Sequence, residues 1–279
     1  MIIKLFILLL MILPAQSADL RVLSWNTFML PRPIKFSNQE VRTRVIANEL
    51  KGSGYDFILM QEAFIGSFRN HVGKVLKAEY PHQYYLGNNK FIYPFFGSGV
   101  FVLSKHPFKV LDKVYYQKCG AADCFAAKGS VLIESTLPSG KVIQFASTHL
   151  QAKEKLAHVR ITQLKQVKAM LAQNKKSGVP QFLIGDLNID AKENEFHTGL
   201  ELLGMDATQL HGPVAHTNVI ECYKKPDHEK EWIDHMWVGQ DAGIRDSSIR
   251  VKEVPYTYKG KTCMAADHHA IEGEFTFEG

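Results

Sequence analysis

Short apolar runs of strand length recur along this chain, each closing on a polar residue able to do chemistry, and this recurrence constrains the fold more than any other feature. Leu20 to Trp25 leads to Asn26, Tyr55 to Met60 leads to Gln61 and Glu62, Val142 to Ser147 leads towards His149, and Gln181 to Ile184 leads to Asp186. Apolar runs this brief read as buried strands rather than helices. Between them lie segments with three-and-four spacing: Val41, Val45, Ile46 and Leu50, then Leu156, Val159, Leu164, Val167 and Leu171. That spacing predicts amphipathic helices. A single Asn or Asp at a strand end is ordinarily a turn residue. Asn26, Glu62, His149, Asp186, Asn188, Asp234 and His268 all fall at predicted strand ends or starts, where loops present polar groups over a rigid scaffold.

Further strands are expected near Gly99 to Leu103, Val131 to Thr136, His235 to Val238, Ser248 to Val254 and Ala270 to Phe277, and a further helix near Phe68 to Lys77. Ser37 with Glu40 forms the pattern of a capping box for the first helix. Mixed elements with many adjacent antiparallel signals predict an α/β (α+β) chain of two packed sheets flanked by helices, not a doubly wound parallel sheet. There is no internal repeat or compositional break, so 19–279 reads as one domain.

The first residues stand apart from that domain. Lys4 precedes an apolar run from Leu5 to Leu13, followed by Pro14 and the small residues Ala15, Ser17 and Ala18. This is the pattern of a signal peptide, residues 1–18, cut after Ser17 or Ala18, and the run falls short of the roughly 20 residues that span a bilayer. The expected location is therefore secreted or periplasmic. Export to an oxidising compartment favours disulfides among Cys119, Cys124, Cys222 and Cys263, for which three pairings exist. The formal charge is +5, or +4 once Lys4 leaves with the leader. A charge this modest does not demand a nucleic-acid partner, and the lysines from Lys153 to Lys176 read as the solvated face of a helix.

Ser24-Trp25-Asn26-Thr27, Leu59-Met60-Gln61-Glu62, Ser147-Thr148-His149-Leu150-Gln151, Gly185-Asp186-Leu187-Asn188, Ile233-Asp234-His235 and Ala266-Asp267-His268-His269 together resemble the ordered motifs of the endonuclease/exonuclease/phosphatase superfamily. The resemblance implies a four-layered, DNase I-like sandwich with the site at one edge of two facing sheets. Cys119 to Asp123, running into Ala126-Ala127-Lys128-Gly129, is similar to a segment of neutral and bacterial sphingomyelinases, as is Asn26 to Pro31. The implied activity is hydrolysis of sphingomyelin to ceramide and phosphocholine, with a membrane lipid as partner. The rivals are a secreted nuclease of the same fold and a catalytically idle binding or toxin subunit.

Phosphodiester hydrolysis needs an activated water, neutralised phosphoryl oxygens and help for the leaving oxygen. A hard cation such as Mg2+ or Mn2+ takes oxygen ligands, and Glu62 is the expected ligand, with Asn26 and Asp267 beside it. By the resemblance, His268 is the base, Asp234 orients it, Asp186 positions the water, and Asn188 and His149 donate to the phosphoryl oxygens. Asp123 and Lys128 are the expected substrate-binding pair. Haemolytic members carry a long aromatic hairpin before the last Asp-His pair. Here only Pro255 to Met264 could serve, so strong lysis is not expected. Phe91 to Phe96 is an alternative lipid-facing loop.

Overall fold

The computed structural model describes residues 18–32, 34–35, 37–88, 96–220, 222–223 and 228–278. The expected leader up to Ser17, and Phe91 to Phe95 of the aromatic loop, lie outside them. The elements in chain order are β1 (Leu20–Asn26), α1 (Gln39–Leu50), β2 (Phe57–Gln61), α2 (Gly66–Val75), β3 (His82–Tyr85), β4 (Phe101–Ser104), β5 (Phe108–Tyr115), β6 (Gly129–Thr136), β7 (Val142–His149), α3 (Ala157–Gln173), β8 (Gln181–Asp186), α4 (Asn194–Leu203), β9 (Met205–Ala207), β10 (Asp234–Gly239), β11 (Ile244–Lys252), β12 (Pro255–Tyr258), β13 (Lys261–Met264) and β14 (Ala270–Phe277).

The strands form two six-stranded sheets, ordered β11-β14-β1-β2-β4-β3 and β5-β6-β7-β8-β10-β9, with β12 and β13 as a separate hairpin. Successive residues of a strand point to opposite faces, so each central strand must be apolar on both. In β1, Val22 enters the core between the sheets while Leu23 and Trp25 pack under α1 and α2. In β8, Phe182 and Ile184 enter the same central core and Leu183 packs under α3. The result is four layers, helix, sheet, sheet and helix, as expected from the sequence. Phe57, Phe145, Phe182 and Phe275 cross the inter-sheet core as a chain of rings with centroids 4.8 to 5.1 Å apart.

Each sheet contains one parallel pair, β1 with β2 and β7 with β8. A parallel pair requires a crossover, and α1 and α3 supply them. The carboxyl ends of β1, β2, β7 and β8 therefore reach the same edge of the molecule.

Several local expectations change. The capping box does not form: Asn38 is the N-cap without a side-chain bond, Glu40 pairs with Arg32, and Ser37 Oγ accepts from Arg42. Edge strands β3 and β5 and helix α4 carried no clear apolar run in the sequence, because their residues are largely half-buried or exposed. The strand expected from Ser248 starts at Ile244. The cysteines pair Cys119 with Cys124 and Cys222 with Cys263.

Candidate active site

Strand register brings the predicted site residues together. His149 lies opposite Asp186 across the parallel β7–β8 pair, and Asp234 lies opposite Asp186 across the antiparallel β8–β10 pair. Asn26 ends β1 beside Gln61, and Glu62 follows at once. His268 precedes β14, which runs antiparallel to β1, and Trp25 Nε1 donates to the His268 carbonyl at 3.0 Å. Glu62, Asn188 and Phe28 all have positive φ, at 52°, 52° and 50°. For side chains other than Asn or Gly such a backbone costs on the order of 1–3 kcal/mol, and strain of this kind collects at functional sites.

His268 Nδ1 donates to Asp234 Oδ2 at 2.8 Å, and its other nitrogen, Nε2, stands 3.8 Å from Asp186 Oδ2. Asp186 is itself held on both oxygens: Asn26 Nδ2 donates to Oδ2 at 2.8 Å and the Asn188 amide to Oδ1 at 2.9 Å. His149 Nε2 lies 3.3 Å from Asp186 Oδ2 and 4.0 Å from Glu62 Oε1. Burial opposes protonation of His268, but the Asp234 and Asp186 carboxylates outweigh it and push the imidazole up to about 10. Burial likewise opposes the charge on Asp186, yet His149 and His268 hold that carboxyl well below the usual carboxylate range.

The Asp123 and Lys128 side chains, expected at the substrate, stand behind His149. Lys128 is 5% exposed; Nζ donates to Asp123 Oδ2 at 2.7 Å and the Leu150 carbonyl at 2.8 Å and lies 3.0 Å from His149 Nε2. Asp123 Oδ2 also accepts from Gln151 Nε2 and the Ala152 amide. Neither side chain lines the cavity over the site. The pair thus braces the His149 loop and does not reach the cavity, where the sequence placed it as a substrate-binding pair.

That cavity holds about 750 Å3 and is walled by Glu62, His149, Asp186, Asn188, Asp267 and His268, with a rim of Glu154, Asp190, Glu193, Glu195, Glu229 and Glu231. Lys153 and Arg160 are the basic residues among the described lining, and Arg160 is committed to Glu195. Glu62 Oε2 is buried and bonded to no described group, which fits a carboxylate awaiting a hard cation. Asp186, Asp234 and His268 also bring ligand atoms within 4.8 Å of one another. There, however, the His268–Asp234 bond already uses the facing atoms.

Two contributors escaped the sequence reading. Thr217 Oγ1 accepts from the Ile233 and Asp234 amides, and the Thr217 carbonyl accepts from His269, so one threonine ties the Asp234 and His268 segments. Arg160 donates to the carbonyls of Gln151 and Lys153, fastening the loop after His149. A lone Thr between a His and an Asn carries no sequence signal, and Arg160 reads as one more helix cation.

The sequence model of the Endonuclease/Exonuclease/phosphatase family matches residues 23–268. Among curated proteins the chain is 27% identical over 255 residues to sphingomyelinase C 2 of Leptospira interrogans, which covers 81% of this chain but 40% of that protein. It is 25% identical over 248 residues to sphingomyelinase C of Listeria ivanovii, covering 79% and 72% of the two chains. Among solved structures, a beta toxin variant of Staphylococcus aureus with bound magnesium ions superposes with a TM-score of 0.79 at 21% identity, over 92% of this chain and 99% of that one. At that identity the likeness shows the fold.

Proposed function

This chain belongs to the endonuclease/exonuclease/phosphatase family, and on that premise we propose that it is an exported, metal-dependent phosphodiesterase that hydrolyses sphingomyelin to ceramide and phosphocholine. The observation that carries the chemistry is the Asp234–His268 pair facing Asp186 across 3.8 Å at the floor of the cavity. A water between His268 Nε2 and Asp186 would be oriented by the carboxylate and lose its proton to the imidazole as it attacks phosphorus. Asp234 keeps the proton on Nδ1 in the resting tautomer and stabilises the imidazolium that forms. Asn188 and His149 supply N–H donors on the phosphoryl side as negative charge builds. Glu62, with Asn26 and Asp267, would hold a divalent cation, magnesium or manganese. When bound, such an ion would draw charge from the phosphoryl oxygens and offset the carboxylates that hold His268 protonated.

The substrate class rests on the relatives' names and on the acidic rim. DNA carries one negative charge per about 1.7 Å of axis, and its binders meet that charge with lysine and arginine. Of the six rim carboxylates Glu195 is paired with Arg160, and the remaining five outnumber Lys153; that acidic excess disfavours such a polymer, whereas a lone phosphodiester bearing a cationic headgroup is tolerated. Export rests on the leader read in the sequence and on the Cys119–Cys124 and Cys222–Cys263 disulfides, which suit an oxidising compartment. Purified protein assayed side by side on sphingomyelin, phosphatidylcholine, lysolipids and DNA tests the reading. Phosphocholine release from sphingomyelin, lost in chelator and restored by magnesium or manganese, is expected. DNA cleavage without phosphocholine release from any lipid would replace this reading with the nuclease.

A further inference from the structure

Arg42 is a buried cation that the chemistry above does not use. It projects from α1 with 0% exposure, and all five of its N–H groups are engaged. Nε donates to the Ser37 carbonyl at 2.7 Å, Nη2 to the Phe28 carbonyl at 2.5 Å and to Ser37 Oγ at 3.1 Å. Nη1 donates to the Thr27 carbonyl at 3.0 Å and to the Ala265 carbonyl at 2.9 Å. None of these acceptors is a carboxylate. Burying a charge with no carboxylate among its bonded acceptors is costly, even with the Asp267 charge and the Phe28 ring nearby, so a simple packing role would be served better by an apolar side chain of similar volume.

What the contacts join is specific. Thr27 and Phe28 follow Asn26 directly, and the Phe28 amide donates to Asn26 Oδ1 at 3.1 Å, which aims Asn26 Nδ2 at Asp186. Ala265 lies on the segment that continues into Asp267 and His268. A single nitrogen, Nη1, therefore bridges the loop that orients Asn26 and the segment that carries the base. Thr27 and Ala265 stand 238 residues apart in sequence. We infer that Arg42 is a positioning residue that sets the separation between the Asn26–Asp186 side of the site and His268, by fixing two backbone carbonyls with one planar guanidinium.

A lysine at this place keeps the charge but cannot span five acceptors. The inference about turnover rests on the phosphodiesterase reading above, whereas the placement of His268 can be read without it. The test compares wild type, Arg42→Lys and Arg42→Gln, each checked for folding by circular dichroism and melting temperature. Two quantities are then read: the downfield NMR signal of the His268 Nδ1 proton, assigned by its loss in His268→Gln, and kcat and KM for sphingomyelin in detergent micelles with saturating magnesium. The expected result is folded variants whose Nδ1 proton signal shifts or broadens, with kcat at least tenfold lower and KM within about twofold. A folded Arg42→Lys with wild-type signal and kcat would overturn the inference, leaving a charge or packing role. If neither variant folds, Ser37→Ala decides, since it removes one of the five acceptors: a moved signal with kcat at least twofold lower supports positioning, and no change overturns it. Should the wild type release no phosphocholine, the substrate reading fails while the NMR comparison still decides what Arg42 does.

Discussion

His235 and His268 are both buried, yet their neighbours push their protonation in opposite directions. His235 packs against Phe196 and Trp237, donates Nε2–H to the Ile189 carbonyl at 2.8 Å, and is depressed by burial to about 4. It therefore folds neutral. Between its ordinary value near 6.5 and about 4 the unfolded chain binds the extra proton, so stability is full above that window and falls as pH drops through it. The gap corresponds to roughly 3 kcal/mol. His235→Gln, which keeps a donor for Ile189, should flatten the fall in melting temperature between pH 6.5 and 4; an unchanged slope would acquit this residue. His268 sits instead between carboxylates, and the proposed mechanism makes it the base. His268→Ala and Asp186→Ala should each lower turnover by orders of magnitude in a folded protein, because they act mainly in the transition state. Asp234→Asn should also slow the reaction, by removing the charge that favours the imidazolium. Near-normal kcat in any of the three would remove that residue from the mechanism.

At the scale of elements, the site depends on how closely β7 and β8 approach. Gly185 has φ of +150°, and a Cβ there would stand 2.0 Å from the Thr148 carbonyl, a backbone atom that cannot swing away. Gly185→Ala should part the strands next to Asp186 and His149, costing at least about 2 kcal/mol of stability and most of the activity. A variant with wild-type melting temperature and turnover would show that the strands can yield. The β12–β13 hairpin illustrates the reverse relation. Tyr256 packs into the core under the first sheet and Tyr258 lies half-buried against it, so this short hairpin does not present its aromatic residues freely to solvent. Phe96 is likewise paired to Ala126 through the backbone and meets the Phe64 ring edge-on.

For the whole molecule, the site joins both sheets: Asn26 and Glu62 come from one, and His149, Asp186 and Asp234 from the other. Asn26, Glu62 and Asp267 lie at the ends of β1, β2 and β14, which pair only in the folded chain, so an ion seated on Glu62 should stabilise the fold. At a hundred times its dissociation constant, magnesium is expected to add about 2.7 kcal/mol, read as a higher melting temperature, and Glu62→Gln should abolish most of that rise. Equal magnesium-induced shifts in wild type and Glu62→Gln would place the ion elsewhere.

Much of this was legible in the chain because it is local. Apolar runs of strand length, helical spacing and the residue at each strand's end are properties of a few neighbours, and they were enough for the two-sheet class and for Asn26, Glu62, His149, Asp186, Asp234 and His268 as candidates. The order of those elements restricts how they can assemble, since each parallel pair needs an intervening helix. Register, however, is decided by which side chains interlock across the sandwich, and that alone sets His149 and Asp234 on either side of Asp186. Edge strands such as β5 were not legible because exposure leaves their composition free. The bracing of Lys128 behind His149, the Thr217 tie and the five bonds of Arg42 were also hidden: their acceptors are mostly backbone carbonyls and side chains brought near from distant segments. A carbonyl is present in every residue, so no sequence pattern records which one a buried donor will meet until the layers close around it.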